Sequence, residues 1–267
     1  MGVAGTERLD VALVTRGLAS SRTRAASLIA DGLVTVDGRP VLRASAKVAD
    51  GQELVVAGAD HYVSRGAHKL IAALDAFEVP VAGRVALDAG ASTGGFSQVL
   101  LERGAKLVVA VDVGHGQLDA RLAGAERLRS FERVNVRSLD ATGFAALVGD
   151  GIAPELVVAD LSFISLTHVL PALRSVATDD ADFVLLIKPQ FEVGRQGVRE
   201  GIVTDPGLRL DAVERVLWAA HDVGLGTAGV IASPIAGTHG NHEFLAWFRG
   251  DAPDPSASRE LLLHLSP

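Results

Sequence analysis

The sequence predicts an α/β protein in which a doubly wound, mostly parallel sheet of seven strands follows a smaller α+β module. Apolar runs alternate with helical stretches from about residue 85 onward, and such runs are typical of strands buried on both faces. The first run ends on Asp88 and leads through a glycine-rich turn into a helical pattern that begins at Phe96. A strand, a glycine turn and a helix in this order form the ligand cleft of a doubly wound sheet.

The composition fits a large globular chain and excludes several classes of function. Of its 267 residues, 48% are hydrophobic and 21% are charged, which supplies a buried core for one large domain or two. A net charge of −7 excludes a uniformly basic nucleic-acid binder but not a local basic face. The lack of cysteine removes disulfides, thiolate metal sites and a cysteine nucleophile, and it fits a cytoplasmic location; no metal is expected. No signal peptide or membrane-spanning helix is expected, because no apolar run approaches the roughly 20 residues that such a helix needs.

Two short helices and a small sheet are predicted near the N-terminus. Apolar residues at helical spacing indicate helices over 8–17 and 20–32, and each ends at a glycine. Alternating apolar residues indicate a hairpin over 33–41, with a tight Asp-Gly turn, and a further strand over 53–57. Together these elements form a compact module.

This module is the part of the chain with a net positive charge, which is where phosphate contacts are expected. Its seven basic and six acidic side chains give +1 and leave −8 for the rest of the chain. Arg22 and Arg24 lie in the first turn of the second helix, behind a cap at Ser20 or Ser21, and basic residues there oppose the helix dipole. An anionic partner outside the helix would compensate them, and simple solvation is the alternative.

A further helix is predicted from Ser64, its cap, after a short polar bridge. Arg65, His68 and Lys69 cluster at its start. A basic cluster at a helix N-terminus again indicates an anionic neighbour rather than an isolated helix.

Six strands are predicted after the first, with helices between them. They lie at 106–113, 133–136, 155–162, 182–190, 228–234 and 243–248. Three of the predicted strands end at Asp88, Asp112 and Asp160, and another ends at Lys188, before a strand-breaking proline. Because ligands of parallel sheets bind at the carboxyl ends of strands, these four side chains are expected to meet at one site.

Two stretches outside the strands have distinct compositions. The glycine-rich connection over 190–207, with Glu192, Arg195 and Arg199, is predicted to be a lid or an RNA-contacting loop. The tail, rich in proline and serine from Asp251 onward, is expected to be disordered at first.

The glycine turn favours S-adenosylmethionine (SAM) as the cofactor. Gly90 is followed by Ala-Ser-Thr-Gly-Gly, whereas a dinucleotide site has the spacing G-x-G-x-x-G around its phosphates. SAM has no phosphates, so this turn would wrap its amino acid part; an ordinary tight connection between strand and helix is the alternative. Asp112 lies about 20 residues beyond the turn, where an acid binds ribose hydroxyls. The expected cofactor contacts are Asp88, Gly90, Ala91, Ser92, Thr93, Gly94, Gly95, Phe96, Asp112, Val113, Asn135 and Asp160.

Lys188 and Asp160 are candidates for an acid–base role. A lysine that is partly desolvated beside another cation can lose its proton near neutral pH. The neutral amine could then take the proton of a weakly acidic alcohol while that alcohol attacks a sulfonium methyl group, and Asp160 would orient both partners. The alternative is an ion pair with no role in catalysis.

The pattern R-L-D-x-x-L-x-x-x-G-L-x-x-S-R-x-x-A-x-x-L-I-x-x-G-x-V-x-V-D-G covers most of the N-terminal module. It resembles the S4 RNA-binding domain over roughly residues 7–57. Pseudouridine synthases share this module, but their reaction needs no SAM turn. With the basic cluster of the later helix included, the expected RNA contacts are Arg8, Arg22, Arg24, Arg39, Arg65 and His68.

The rest of the chain carries the motifs S-R-G-A-H-K-L, L-D-A-G-A-S-T-G-G-F, V-V-A-D-L-S-F-I-S-L, K-P-Q-F-E-V-G and G-N-x-E. Jointly they resemble the TlyA family of ribosomal RNA 2′-O-methyltransferases, which is related to the FtsJ-type enzymes and includes members labelled hemolysin. The resemblance implies a Rossmann-like, SAM-dependent methyltransferase domain that modifies cytidine in large-subunit rRNA and, in some members, small-subunit rRNA too. By motif, it implies a catalytic tetrad of Lys69, Asp160, Lys188 and Glu243.

The expected organisation is an S4-like domain over 6–57, a linker over 58–63, a methyltransferase domain over 64–250 and a tail over 251–267. The linker carries Asp60-His-Tyr where the family is expected to have a tryptophan-containing segment. Ribosomal RNA within ribosomal subunits is the expected partner. Two other functions stay open here: an assembly factor that binds RNA without catalysis, and a membrane-active hemolysin.

Overall fold

The structure, a computed structural model, describes residues 6–19, 21–30, 32–56, 61–194, 197–237 and 240–258, together with Leu262 and Leu265. The chain divides into two compact units, residues 1–62 and 63–267, each with its own hydrophobic core. The division falls within the expected linker, of which residues 58–60 lie outside the described residues.

Two helices and two small antiparallel sheets form the first unit. Its elements are β1 (Thr6–Arg8), α1 (Leu9–Thr15), α2 (Arg22–Ala30), β2 (Val34–Val36), β3 (Arg39–Pro40), β4 (Lys47–Ala49) and β5 (Leu54–Val56). β1 pairs with β4, and β2 lies between β3 and β5. Both predicted helices and the predicted hairpin are confirmed. Asp37 and Gly38 have positive φ angles, as a two-residue hairpin turn with the twist of its strands requires.

One seven-stranded sheet forms the centre of the second unit. Its strands are β6 (Val85–Ala89), β7 (Leu107–Asp112), β8 (Leu128–Glu132), β9 (Leu156–Ala159), β10 (Asp182–Ile187), β11 (Gly226–Ala232) and β12 (Phe244–Arg249). Their order is β11-β12-β10-β9-β6-β7-β8. β12 is antiparallel to both of its neighbours, and the other pairs are parallel. The predicted mostly parallel sheet of seven strands is therefore confirmed.

Helices connect these strands and pack on the sheet. They are α3 (Gly66–Phe77), α4 (Gly95–Glu102), α5 (Ala141–Val148), α6 (Leu170–Val176), α7 (Pro189–Glu192) and α8 (Pro206–Asp222). Every residue of β10 is buried, since both faces of the sheet are covered. Ser64, the predicted cap of α3, accepts a hydrogen bond of 3.0 Å from the N–H of Gly66. The helix begins at Gly66, so its N-cap residue is Arg65 and not the predicted Ser64.

The third strand of the sheet lies upstream of its predicted place. The sequence predicts it over 133–136, but β8 spans 128–132, and residues 136–138 form a 3₁₀ turn. β8 is an edge strand with three exposed side chains, so it lacks the apolar run that marks the buried strands. Arg133, with a φ of +59°, then turns the chain out of the sheet.

The expectation of a disordered tail is wrong over residues 251–258. The carbonyl of Pro253 accepts a hydrogen bond of 2.8 Å from the N–H of Thr227 in β11. Residues 255–258 form a 3₁₀ helix in which Pro255 and Ser258 are buried. Further on, Leu262 is buried in the core cluster of the sheet. A few apolar residues thus give this Pro- and Ser-rich segment enough burial to be ordered.

Candidate active site

A cavity opens at the carboxyl ends of β6, β9 and β10, beside the first turn of α3. Its walls bring together the four residues of the expected tetrad, Lys69, Asp160, Lys188 and Glu243, and also include Arg65. The glycine turn after β6 contributes Gly90, Ala91, Ser92, Thr93, Gly95 and Phe96. These residues therefore lie at the edge of the sheet where parallel strands bind their ligands.

Lys69 and Glu243 form a buried ion pair in the cavity wall. Lys69 lies in the first turn of α3, and Glu243 directly precedes β12. The Lys69 Nζ and Glu243 Oε2 atoms are 2.5 Å apart, and the side chains are 7% and 2% exposed. Gly237 packs so closely on Glu243 that a Cβ would overlap the carboxylate. Because removing one partner would leave an uncompensated buried charge, the pair is a fixed part of the wall.

Asp160 and Lys188 form a second ion pair that is more open to solvent. Lys188 Nζ is 2.6 Å from Asp160 Oδ1 and 2.9 Å from Ser162 Oγ, and the Lys188 and Asp160 side chains are 11% and 24% exposed. Pro189 ends the strand and starts α7, which brings the ring of Phe191 to 6.0 Å from Nζ. An amine held between a carboxylate and a hydroxyl at an open cavity is suited to exchange a proton with a bound alcohol.

The glycine turn approaches its neighbours too closely for side chains. A Cβ on Gly90, whose φ is +82°, would lie 2.8 Å from the carbonyl oxygen of Asp160. A Cβ on Gly95 would lie 2.8 Å from the Cβ of Ser64. Gly94 has a φ of +92°. The positive φ angles at Gly90 and Gly94 and the close contacts at Gly90 and Gly95 favour glycine at all three positions. The result is a cradle of backbone along one side of the cavity, which suits close contact with a cofactor.

Asp112 holds this turn from the neighbouring strand. Its Oδ2 accepts a hydrogen bond of 2.8 Å from the N–H of Ser92, and its Oδ1 accepts one of 2.7 Å from the N–H of Gly114. Each carboxylate oxygen keeps acceptor capacity for ribose hydroxyls. Val113 is exposed beside it, and Asn135 is exposed at the cap of the 3₁₀ turn that follows β8. Asp112, Val113 and Asn135 lie outside the set of described residues that line the cavity.

Asp88 lies behind the glycine turn rather than in the cavity. Its side chain is fully buried, and its Oδ2 accepts a hydrogen bond of 2.6 Å from the hydroxyl of Ser97 in α4. Its Oδ1 has no hydrogen-bond partner among the described residues. Burial raises the pKa of Asp88 to about 7. A direct contact between Asp88 and the cofactor stays a prediction; in the structure its carboxylate bonds to the first turn of the helix that follows the cradle.

In the first unit, Arg8 and Arg22 converge on one buried acid, Asp10. Arg8 Nε lies 2.8 Å and Arg22 Nη2 lies 3.0 Å from the carboxylate oxygens. The arginine side chains are 42% and 63% exposed, whereas that of Asp10 is 6% exposed. The hydrogen bond from Arg8, helped by Arg22, outweighs burial and lowers the pKa of Asp10 to about 2. For Arg22, the expected anionic partner outside the helix is therefore Asp10, which lies in α1 of the same chain.

The other expected RNA contacts differ in exposure. Arg24 is half-buried in α2, and its backbone N–H donates to the hydroxyl of Ser21, which is therefore a cap of this helix. Ser20, the other candidate cap, lies outside the described residues. Arg39 is exposed in β3, and His68 is half-buried in α3.

Sequence patterns did not single out the roles of several side chains beside the cavity. Phe163 is 91% exposed with a φ of +65°, and its ring centroid lies 5.3 Å from that of Phe191. Glu192 is buried and accepts hydrogen bonds from the Ser165 hydroxyl at 2.5 Å and the Leu166 N–H at 2.8 Å. Burial raises the pKa of Glu192. One feature of the sequence could have indicated these roles: both residues lie in the motifs that contain Asp160 and Lys188.

The glycine-rich connection over 190–207 is anchored at its far end. The amide of buried Asn241 donates to the carbonyl of Gly201 at 2.8 Å and accepts from the N–H of Val203 at 3.3 Å. Arg199 is exposed, and Arg195 lies outside the described residues. A role of this connection as a lid or RNA-contacting loop stays a prediction.

Comparison with known families follows the same division of the chain. The profile of the FtsJ-like methyltransferases matches residues 62–250, and that of the S4 domain matches residues 7–54. The chain belongs to the FtsJ-like methyltransferase family. It is 50% identical to the 16S/23S rRNA (cytidine-2′-O)-methyltransferase TlyA of Mycobacterium tuberculosis, over 92% of this chain and 91% of the relative.

Two other similarities carry the hemolysin name. This FtsJ-like chain is 38% identical to Hemolysin A of Brachyspira hyodysenteriae, over 90% of this chain and 99% of the relative. A solved structure from Streptococcus thermophilus, provisionally labelled a hemolysin, matches with a TM-score of 0.76 and 38% identity, over 98% of this chain and 96% of that one. Within the described ranges, no helix is long and apolar enough to cross a membrane. The same ranges contain no group of three or more His, Asp or Glu residues suited to hold a metal ion.

Proposed function

We propose that this FtsJ-like methyltransferase transfers a methyl group from SAM to the 2′-hydroxyl of a cytidine in ribosomal RNA. The observation that carries the proposal is the Lys188–Asp160 pair at 2.6 Å, which shares one cavity with the glycine turn. The nucleotide and the class of RNA follow from the M. tuberculosis relative, whose name specifies cytidine 2′-O-methylation of 16S and 23S rRNA. Such a substrate implies ribosomal subunits as partners and a cytoplasmic location.

The residues around the turn fit SAM as the cofactor. The backbone cradle at Gly90 and Gly95 would hold its amino acid part, and Asp112 would accept its ribose hydroxyls. Val113 and Asn135 stay predicted contacts of its nucleoside. When bound there, SAM supplies an electrophilic methyl group on a sulfonium.

Two pairs of side chains in the cavity wall have separate roles, one acting on the ribose and the other supporting the wall. In its neutral form, Lys188 takes the proton of the 2′-hydroxyl, and Asp160 holds the amine and balances the charge that forms on it. Lys69 and Glu243 bind each other out of contact with solvent and keep the facing wall rigid. Positioning of two reactants can supply about 7–11 kcal/mol of a barrier, so the rigid wall matters beside the base.

RNA binding is assigned to the S4-like domain over 6–57 and to the cavity of the methyltransferase domain over 64–250. Arg8 and Arg22 are anchored on Asp10, yet both stay exposed to a phosphate. Arg65 lines the cavity, and Phe163 offers an exposed ring on which a base can stack.

The proposal is tested by methyl transfer from radiolabelled SAM to separated ribosomal subunits that lack the modification. Label is expected on the 2′-oxygen of a cytidine. Lys188→Ala should lower the rate by at least about 100-fold, while calorimetry shows retained SAM binding. Full turnover by this variant would remove Lys188 from the role of base. SAM binding without transfer to either subunit would favour the assembly factor.

A further inference from the structure

Ser162 lies in the cavity wall, two residues beyond Asp160 and just past the end of β9. Its hydroxyl oxygen accepts a hydrogen bond of 2.9 Å from Lys188 Nζ. Ser162 itself is exposed, and its oxygen accepts from the amine of a lysine that is buried. The roles assigned above leave it without a function.

The geometry of a neutral amine gives the hydroxyl of Ser162 a function. Such an amine has two N–H bonds and one lone pair, arranged tetrahedrally about nitrogen. Asp160 Oδ1 at 2.6 Å and Ser162 Oγ at 2.9 Å together provide two acceptors for the two N–H bonds of Lys188. With both N–H bonds directed to these oxygens, the lone pair has a single direction left. With Asp160 alone, rotation about the last bond of the side chain would spread the lone pair over other directions.

We propose that Ser162 is a positioning residue, which aims the lone pair of neutral Lys188 at the ribose hydroxyl of the RNA. The inference rests on the proposed function, in which Lys188 is the base. In that step the hydroxyl oxygen bonds to the methyl carbon, and its proton passes to the lone pair of Lys188. The carbon–sulfur bond breaks, and its electron pair stays on sulfur.

Neighbouring groups leave this arrangement undisturbed. Glu243, the other carboxylate in the cavity wall, is already bound by Lys69 at 2.5 Å. The ring of Phe191, centred 6.0 Å from Nζ, covers another side of the amine with apolar surface. The alternative is that the Ser162 hydroxyl donates a hydrogen bond to the amine. It would then occupy the lone pair of Lys188 and slow the reaction.

Single-turnover methylation of unmodified ribosomal subunits, at saturating SAM and subunit concentrations, separates the two roles. Ser162→Ala should lower the rate by about tenfold or more, because orientation is part of the advantage of a bound base. Ser162→Thr keeps the hydroxyl and, at an exposed position, has room for its methyl group; it should restore the rate to within about threefold of the wild type. SAM affinity by calorimetry and the thermal midpoint should match the wild type in both variants. Ser175→Ala, at an exposed serine of α6, is the matched control and should leave the rate unchanged.

Three results would overturn the inference. They are an unchanged or faster rate in Ser162→Ala, an equal loss in Ser162→Thr, or a loss of rate explained by weaker SAM binding. Lys188→Ala, measured in the same assay, distinguishes a failure of the proposed function. If Lys188→Ala keeps the rate, the base is wrong; if it loses the rate while Ser162→Ala does not, only the positioning role is wrong.

Discussion

Asp88 is a buried carboxylic acid whose hydrogen-bond partner is a neutral hydroxyl. Desolvation raises its pKa from 3.8 to about 7, and the nearby charges of Asp160 and Asp112 act in the same direction. The hydrogen bond from Ser97 offsets part of this effect. The folded state therefore keeps a proton that the unfolded chain releases above about pH 4, and stability from this group falls as the pH rises toward 7.

The effect of Asp88→Asn on the free energy of unfolding should change sign between pH 4 and pH 8. A native pKa of about 7 instead of 3.8 costs the ionised wild type about 4 kcal/mol, and asparagine avoids this cost. The new amide lacks a partner, which costs about 1–3 kcal/mol at every pH. Chemical unfolding should therefore show a net gain of about 1–3 kcal/mol at pH 8 and a loss near pH 4.

The exposed Asp150→Asn is the control for this measurement, since it removes the same charge from the surface. A stability difference between Asp88→Asn and the wild type that does not vary with pH would show that Asp88 is ionised throughout.

Phe163 combines an exposed aromatic ring with a backbone conformation that non-glycine residues rarely adopt. Phe163→Ala should leave SAM affinity and the free energy of unfolding unchanged, because the ring is 91% exposed. It should raise the RNA concentration for half-maximal rate by about 5- to 150-fold, since stacking on one base is worth about 1–3 kcal/mol. Phe163→Trp should keep most of the affinity. An RNA dependence equal to that of the wild type in Phe163→Ala would exclude stacking.

At the scale of elements, Glu192 joins the end of α7 to the 3₁₀ turn formed by residues 166–168. Its carboxylate accepts from Ser165 and Leu166, and its backbone carbonyl accepts a hydrogen bond of 2.9 Å from Arg215 in α8. The segment that carries Asp160 is thereby tied to the one that carries Lys188. The distance between Lys188 and Asp160 thus depends on a contact outside the cavity.

Glu192→Ala should lower the free energy of unfolding by about 2–4 kcal/mol, through an unpaired amide and a small cavity. Hydrogen exchange of the Leu166 N–H should become faster, because its acceptor is gone. Glu192→Gln keeps a carbonyl for that N–H and serves as the control, with exchange close to that of the wild type. Equal protection of the Leu166 N–H in the wild type and in Glu192→Ala would show that the Glu192 carboxylate does not hold this turn.

The sequence predicts those strands and helices whose burial limits them to apolar residues. β10 is recognisable because a strand covered on both faces is apolar over most of its length, here from Phe183 to Ile187, whereas the edge strand β8 is not. The rule for carboxyl ends of strands places Asp160 and Lys188 in one cavity, but it does not show that Asp88 points the other way. That direction, like the pairing of Arg22 with Asp10, depends on tertiary distances that no local pattern records.

At the scale of the whole molecule, a net charge of −7 repels RNA phosphates, so attraction has to come from a local group of cations. In the proposed function, Arg8 and Arg22 are such a group in the first unit. Asp10 neutralises part of their charge but also fixes two long side chains, which lowers the entropy lost on binding a phosphate. The same acid stabilises the fold above about pH 4, and this stability is lost as the pH falls toward 2.

Arg22→Ala should weaken binding to ribosomal RNA and reduce the slope of log affinity against log salt concentration by about 0.7–1, as expected for one lost phosphate contact. Asp10 keeps its hydrogen bonds from Arg8, so the unit should stay folded. Arg43→Ala removes the same charge from an exposed position of the same unit and should leave the slope nearly unchanged. Equal slopes for both variants would mean that net charge, rather than a defined contact, sets the affinity. An unchanged slope in Arg22→Ala would remove this arginine from the RNA interface.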